Sequence, residues 1–413
     1  MILTLIYSAN KLIDYRAGRR ISLDEVFHVS SIFTRKHVYD IAVCLALVTA
    51  VAALIAFPGE SIAAARDGLT LCINVIIPSL FPFFVLSTLV VETGVTRHLG
   101  KLLEPVMRPL FNVGGSCVAA FVLGFIGGYP VGAKTVITLY ENGDCSKVEA
   151  ERLLSFCNNS GPAFIFGVVG AGVFSSGIIG LILYLAHTLA SLIVGVIFRS
   201  WGASGARHGS PRKKSRPPPQ SFSAVFTGSV KSSAQSMINI CGFVIFFTVF
   251  IRLLFISGFI PFLAGLISTI LNPLGFDSRW AERLLIGIIE ISSGVWSLND
   301  ASGQLTASVA MAAFMLGWAG LSVHSQVLSF IGSSGLSVRT YIYGKFLQGI
   351  ISAGFVFIIA RAFLSEAAAS IYLAEQVNYL ASVDFMTAGL ASGLGAVIVF
   401  ILFVLGARKA ASK

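Results

Sequence analysis

Three stretches of this chain combine glycine, proline and polar side chains in patterns suited to chemistry: Gly127-Gly128-Tyr129-Pro130-Val131-Gly132-Ala133-Lys134-Thr135, Cys157-Asn158-Asn159-Ser160-Gly161-Pro162 and Glu290-Ile291-Ser292-Ser293-Gly294. The first invites comparison with a nucleotide phosphate loop. That loop needs Gly-Lys-Ser/Thr directly after its spacers, and a strand before it. Here Ala133 separates Gly132 from Lys134 and no strand is expected, so nucleotide hydrolysis is rejected. The same residues suit the tip of a helical hairpin. Such a tip exposes backbone N–H groups and the positive end of a helix dipole, and both attract anions. Lys134 adds a full positive charge, which inside an apolar region marks a pathway or a pair, unless it snorkels to the membrane surface.

The candidate binding residues are therefore Gly128, Tyr129, Pro130, Gly132, Lys134 and Thr135 of the first stretch, Asn158, Asn159, Ser160 and Gly161 of the second, and Ser292, Ser293 and Gly294 of the third. Adjacent Asn residues followed by Gly-Pro point to an unwound helix with amides free to donate and accept, although polar residues also join helices to one another. Glu290 is a candidate for binding a cation or proton, or for pairing with Lys134, and a purely structural pair is an open alternative. His324 is a cavity candidate and His187 a weaker one. No HExxH, no GxSxG and no His cluster with Asp or Glu is present, so no enzyme, metal or cofactor is expected. The six cysteines are scattered without a CxxC pair, which suggests neither zinc nor a disulfide framework.

The elements that must position these residues are membrane helices. The chain has 413 residues, 55% of them hydrophobic and only 12% charged, with a net charge of +10 and a mean hydropathy of +0.85. Soluble domains carry about 25% charged residues, so a soluble enzyme, a disordered protein and a nucleic-acid binder are all excluded. The basic excess reads as positively charged cytoplasmic loops. The fold class expected is all-α and polytopic, with about eight spanning helices of roughly 20 residues each.

Along the chain, residues 1–37 form a basic leader expected to be cytoplasmic and retained, since the first apolar run starts near Val38. The first transmembrane half covers 38–198, with its repeat unit at about 69–198. It holds spans at 38–57 and 69–92, the latter kinked by Pro78 and Pro82. An amphipathic surface helix at 97–111 follows, with Leu99, Leu102, Leu103, Val106, Met107 and Leu110 on one face and Arg97, Lys101 and Arg108 off it. A re-entrant hairpin at 113–142 comes next. Ser146 and Glu149 then form a capping box that opens a helix broken at 157–162, and a span covers 176–198. Residues 199–233 read as a basic Pro/Ser-rich linker, 234–363 as the second half, and 364–413 as an external segment, a last span at 389–406 and a basic C-terminus.

The halves repeat. Gly94, Pro109 and Leu110 match Gly258, Pro273 and Leu274 at one offset, Gly124 matches Gly287 one residue off it, and Tyr184 and Gly195 match Tyr343 and Gly354 after a short deletion. The second hairpin should then carry Glu290 and the second broken helix should cover about 306–331. With both termini inside, the Lys and Arg of 97–108, 147–152, 199–231 and 339–345 all fall on the cytoplasmic side, as the positive-inside rule asks. Three crossings per repeat make the halves inverted, and inverted repeats with broken helices are the plan of a secondary transporter.

The segments GGYPVGAKT at 127–135 and ERLLSFCNNSGPAFI at 151–165 resemble the sporulation integral membrane protein YlbJ (SpoVV) family. That family sits in the nucleoside-recognition Gate-domain group, with the spore maturation proteins A and B and the membrane part of the ferrous-iron transporter FeoB. Its layout is similar to concentrative nucleoside transporters. The resemblance spans about 38–407 and is looser in the second half. It implies transport of dipicolinic acid across the outer forespore membrane, a small aromatic dianion that helix N-termini, Lys134 and amide donors would suit and on which Tyr129 could stack. The partners implied are that anion and the lipid bilayer, with a homo-oligomer or other sporulation membrane proteins left open and no nucleic acid. Two alternatives stay open: a partner-dependent gate or scaffold for spore maturation, and a nucleoside or ion transporter of the same group.

Overall fold

The computed structural model describes residues 35–93, 104–202, 221–299, 305–332 and 334–363. Expectations for most of the leader, for Leu99, Leu102, Leu103, Arg97 and Lys101, for the linker at 203–220 and for the last span at 389–406 lie outside these residues. Among the described residues every regular element is helical. The chain divides after Ser61 into two compact units. The described part of the first is α1 (Arg35–Ala56) and the opening turn of α2 (Pro58–Leu71), where Ser61 Oγ donates to the Phe57 carbonyl at 2.8 Å.

In the second unit, α2 runs through a wide π turn at Cys72–Ile76 into α3 (Ile77–Glu92). Where a proline kink was expected, the helical ladder widens into this π turn. The Ile77 N–H reaches back five residues to Cys72, and the π turn lies immediately before Pro78, where a helical ladder meets its first missing donor. Pro82 is held inside α3. After α4 (Glu104–Phe111) the chain turns by 93° into the next helix. Val106 and Met107 are buried, while Arg108 pairs with Glu104 at 2.6 Å on the exposed side, as an amphipathic helix requires.

The hairpin follows as α5 (Val118–Ile126) and α6 (Val131–Glu141). The next helix, α7 (Lys147–Phe156), opens on the expected capping box: the Ser146 hydroxyl accepts from Glu149 N–H, and Glu149 accepts from Ser146 N–H at 2.9 Å. Glu149 also accepts from Gly114 N–H at 2.8 Å, which ties the hairpin entrance to this helix. The chain then leaves helical geometry from Cys157 to Gly161, winds on as a π segment (Ala163–Val173) and enters α8 (Gly177–Ile197), capped by Ser176. Along α8, Ile178, Leu181, Leu185 and Leu189 form an exposed apolar stripe, whereas Leu183, Ala186, His187, Ala190 and Ser191 are buried. In lipid the exposed stripe needs no cover.

The second half opens with α9 (Phe222–Ile256), capped by Ser221. Residues 222–233, read from the sequence as the end of the linker, are helical. A hydroxyl cap and a run of helix-compatible small residues let this helix start well before its apolar part. Then come α10 (Phe259–Leu271), α11 (Ser278–Ile289) and α12 (Ile291–Trp296), then α13 (Leu305–Trp318), α14 (Gly320–Ile331) and α15 (Arg339–Phe363). The most extensive helix packing is α13 on α15.

Among the described residues four helical stretches are long and apolar enough to cross a bilayer, Gly177–Ser200, Phe222–Ile256, Leu305–Ile331 and Arg339–Ile359; counting each of two bent helix pairs as one span gives six. These do not reproduce the eight expected one for one: the bent pair from Glu104 to Ile126 falls where a surface helix and a hairpin arm were expected, the expected span at 69–92 is not among the six, the first broken helix is divided between α7 and the π segment, and the last expected span lies outside the described residues.

Both hairpins close through glycine. Gly124 and Gly132 face each other across α5 and α6, and the Cys157 carbonyl occupies the space where either side chain would begin. In the second hairpin Gly287 and Gly294 meet in the same way, against Met315. The sequence pairing of Gly124 with Gly287 marks this shared contact.

Candidate functional site

Each hairpin tip rests on the break of a neighbouring helix. The first tip, Gly127 to Pro130, contains a cis Tyr129–Pro130 bond, and Gly128 has φ +76°. Gly128 packs against Gly161 of the first break, with the position of a Gly161 Cβ only 3.0 Å from Gly128 Cα. The second tip is Glu290 alone, in extended geometry between α11 and α12. It packs on Gly320, which together with Ala319 interrupts the second broken helix at φ +81° and +77°. Trp318 Nε1 donates to the Ile288 carbonyl at 3.1 Å and holds the second tip in place.

Unwound backbone at this depth must find partners inside the protein. The first break does so through α8 and α15. Phe156 O accepts from Ser191 Oγ at 2.6 Å and from Asn159 Nδ2 at 2.8 Å. Ser160 N–H donates to His187 Nε2 at 3.1 Å. Asn158 O accepts from Lys345 Nζ at 2.8 Å. Gln348 bridges the group, accepting from Lys345 Nζ at 2.8 Å and donating to Asn159 Oδ1 at 2.8 Å. Lys345 itself is fully buried, and its ammonium lies over the Tyr129 ring, 5.1 Å from the centroid. The Tyr129 hydroxyl donates to the Leu316 carbonyl, so the first tip is clamped by two helices of the second half.

Between the tips lies a cavity of about 90 Å³. Its polar wall consists of Tyr129, Ser160, Glu290, Ser292, Ser322 and Gln326, with Gly127, Gly128 and Gly161 contributing backbone and Phe164, Ile240 and Val244 an apolar side. The hydroxyls of Ser160 and Ser322 are buried without a hydrogen-bond partner among the described residues, as are both amide atoms of Asn158 and Nε2 of His324. Buried polar groups are ordinarily satisfied. Of these, the Ser160 and Ser322 hydroxyls line the cavity, and orphaned hydroxyls there are what a site awaiting a ligand or water presents.

Several candidate residues fall together here and others do not. Gly128, Tyr129, Ser160, Gly161, Glu290 and Ser292 line the cavity. Asn158 and Asn159 stand behind it in the Lys345 network. Pro130 and Gly132 shape the start of α6, and Thr135 spends its hydroxyl on Val131 O at 2.8 Å. Ser293 donates its N–H to Glu290, while Gly294 packs on Gly287. His324 is buried with Nδ1 2.9 Å from the Tyr341 hydroxyl and its ring against Trp318, off the cavity wall.

The pairing of Lys134 with Glu290 is not formed. Lys134 Nζ reaches Ser236 Oγ at 2.8 Å and Ser232 Oγ at 3.2 Å on α9, and sits 5.1 Å from the Phe84 ring centroid. The carboxylate of Glu290 instead accepts from Ser292 N–H at 3.0 Å and Ser293 N–H at 2.7 Å, capping α12. Side chains one helical face apart cannot converge, and spacing in the sequence does not reveal which face turns inward.

Sequence reasoning missed Lys345 because it lies close to the start of its span, where a lysine counts as one more loop cation. The signal available was its position four residues past Tyr341 inside an otherwise apolar helix, the spacing that shares a buried face.

This chain is 35% identical over 327 residues to the sporulation integral membrane protein YlbJ of Bacillus subtilis (strain 168), an alignment covering 75% of this chain and 79% of that protein. The chain belongs to the YlbJ family. Residues 73–204 of this YlbJ-family chain match the Gate family, described as nucleoside recognition. That region ends just past α8, so it takes in the first tip and the first break. A solved structure of CNTnw in an inward-facing, substrate-bound state is also similar, at 12% identity over 78% of this chain and 85% of that one, with a TM-score of 0.39.

Proposed function

We propose that this integral membrane protein carries a small planar organic anion, dipicolinate, across the outer forespore membrane during sporulation, with its termini on the cytoplasmic side. The observation that supports this most is the cavity between the two tips, lined by the Tyr129 side chain and by the Ser160 and Ser322 hydroxyls, which have no partner among the described residues. A dicarboxylate offers acceptors only, and both hydroxyls can turn their hydrogens towards it; an aromatic ring favours a planar ligand. The Glu290 carboxylate lines the cavity and caps α12 through two N–H groups, and we read it as a cap rather than a coupling cation site. Lys134 stands outside the site.

The reading is tested with purified full-length protein in proteoliposomes loaded with buffer and given labelled dipicolinate. Saturable uptake, absent from protein-free vesicles and unaffected by uridine, is expected. No uptake by protein shown to be folded and inserted would overturn it.

A further inference from the structure

We infer that Lys345 is the charge-selecting residue of this cavity, the buried ammonium that makes it prefer an organic anion over a neutral ring of the same shape. This rests on the carrier reading above and adds to it the group that sets its specificity.

Lys345 has no exposed surface. Its ammonium donates to two neutral oxygens, Asn158 O and Gln348 Oε1, each at 2.8 Å, and among the described residues no carboxylate is paired with it. A buried charge without a counter-charge is strongly unfavourable, so a lysine kept there calls for an anion from outside the chain. Among the described residues Asn158 Nδ2 and Oδ1 and the Ser160 and Ser322 hydroxyls lack partners, and the amide and hydroxyl hydrogens can donate to carboxylate oxygens, which accept several hydrogen bonds each. Lys345 lies behind the cavity rather than in its lining: the Tyr129 ring, 5.1 Å from the ammonium, lines the cavity, and Asn158, whose carbonyl Lys345 holds, is followed two residues on by the lining residue Ser160.

The test is a calorimetric titration of the detergent-solubilised full chain with pyridine-2,6-dicarboxylate and with its neutral diamide. Variants are Lys345→Gln, which keeps a donor and removes the charge, Lys345→Met, which removes both, and Lys345→Arg, which keeps the charge. Wild-type protein should favour the dianion by roughly tenfold or more, the scale of one charge acting across a short interior distance. In Lys345→Gln and Lys345→Met that preference should collapse towards unity while diamide affinity stays within about threefold, and Lys345→Arg should restore the preference. A folded Lys345→Gln protein with the wild-type preference overturns the inference, as does an equal loss of both ligands, which a structural role would give. If the neutral variants do not fold, a wild-type preference below about threefold overturns it. Wild-type protein that binds neither ligand removes the carrier reading itself; wild-type binding with the preference intact in Lys345→Gln removes only the role of Lys345.

Discussion

The two hairpins share one plan and solve their tips differently. The first needs four residues, Gly127 to Pro130, to reverse direction, and no side chain caps the helix that follows. The second reverses in one residue, Glu290, whose carboxylate caps the following helix. A capped N-terminus has spent its attraction for anions on its own chain. An uncapped one, with a buried ammonium lying over the ring of its tyrosine, has not. On the proposed reading, the first tip faces an incoming anion and the second closes on itself.

Substitutions that break the shared plan should have the largest effects. Gly132→Ala places a Cβ on the Cys157 carbonyl, and backbone cannot yield as a side-chain end can. We expect a loss of about 3 kcal/mol or more, read as a lower melting temperature in detergent, with Gly294→Ala behaving alike in the second hairpin.

Next come changes that act on one tip alone. Glu290→Ala leaves the Ser292 and Ser293 N–H groups without their acceptor, for an expected loss of about 1–3 kcal/mol by the same melting assay. Glu290→Gln should retain dipicolinate uptake, because the carboxylate is a cap. Abolished uptake in a stable Glu290→Gln protein would instead make it a coupling group and erase the contrast between the tips.

Smaller and of a different kind is Ser160→Ala. Its hydroxyl has no partner among the described residues, so stability should move by less than about 0.5 kcal/mol while dipicolinate affinity falls by roughly tenfold, the scale of one hydrogen bond to a charged acceptor. Equal behaviour of Ser322→Ala would show that both halves donate to the ligand.

Much of this arrangement was legible in the residues. Gly-Gly-Tyr-Pro, Asn-Asn-Ser-Gly-Pro and the Ser146–Glu149 spacing punctuate helices locally, so the first hairpin, the first break and the capping box follow from the chain itself. Gly124 and Gly287 marked both hairpins because close backbone approach leaves few residue types open. What the chain did not show was direction. Lys134 and Lys345 are each one lysine in an apolar setting, yet one turns to the hydroxyls of α9 and the other into the interior. Only the packing of α15 on α7 and α13 decides that. The early start of α9 at Phe222 did carry a signal that the linker reading passed over: Phe222, Val225, Phe226 and Val230 recur at helical spacing after the Ser221 cap.

The most direct measurement compares dipicolinate uptake by proteoliposomes of Lys345→Gln and Lys134→Met, reconstituted at equal density beside the wild-type protein. Uptake should fall by at least about tenfold in the first and stay within about twofold of wild type in the second. The reverse order, with Lys134→Met silent and Lys345→Gln unimpaired, would move the anion pole to the outer side of the first hairpin and contradict the asymmetry of the two tips.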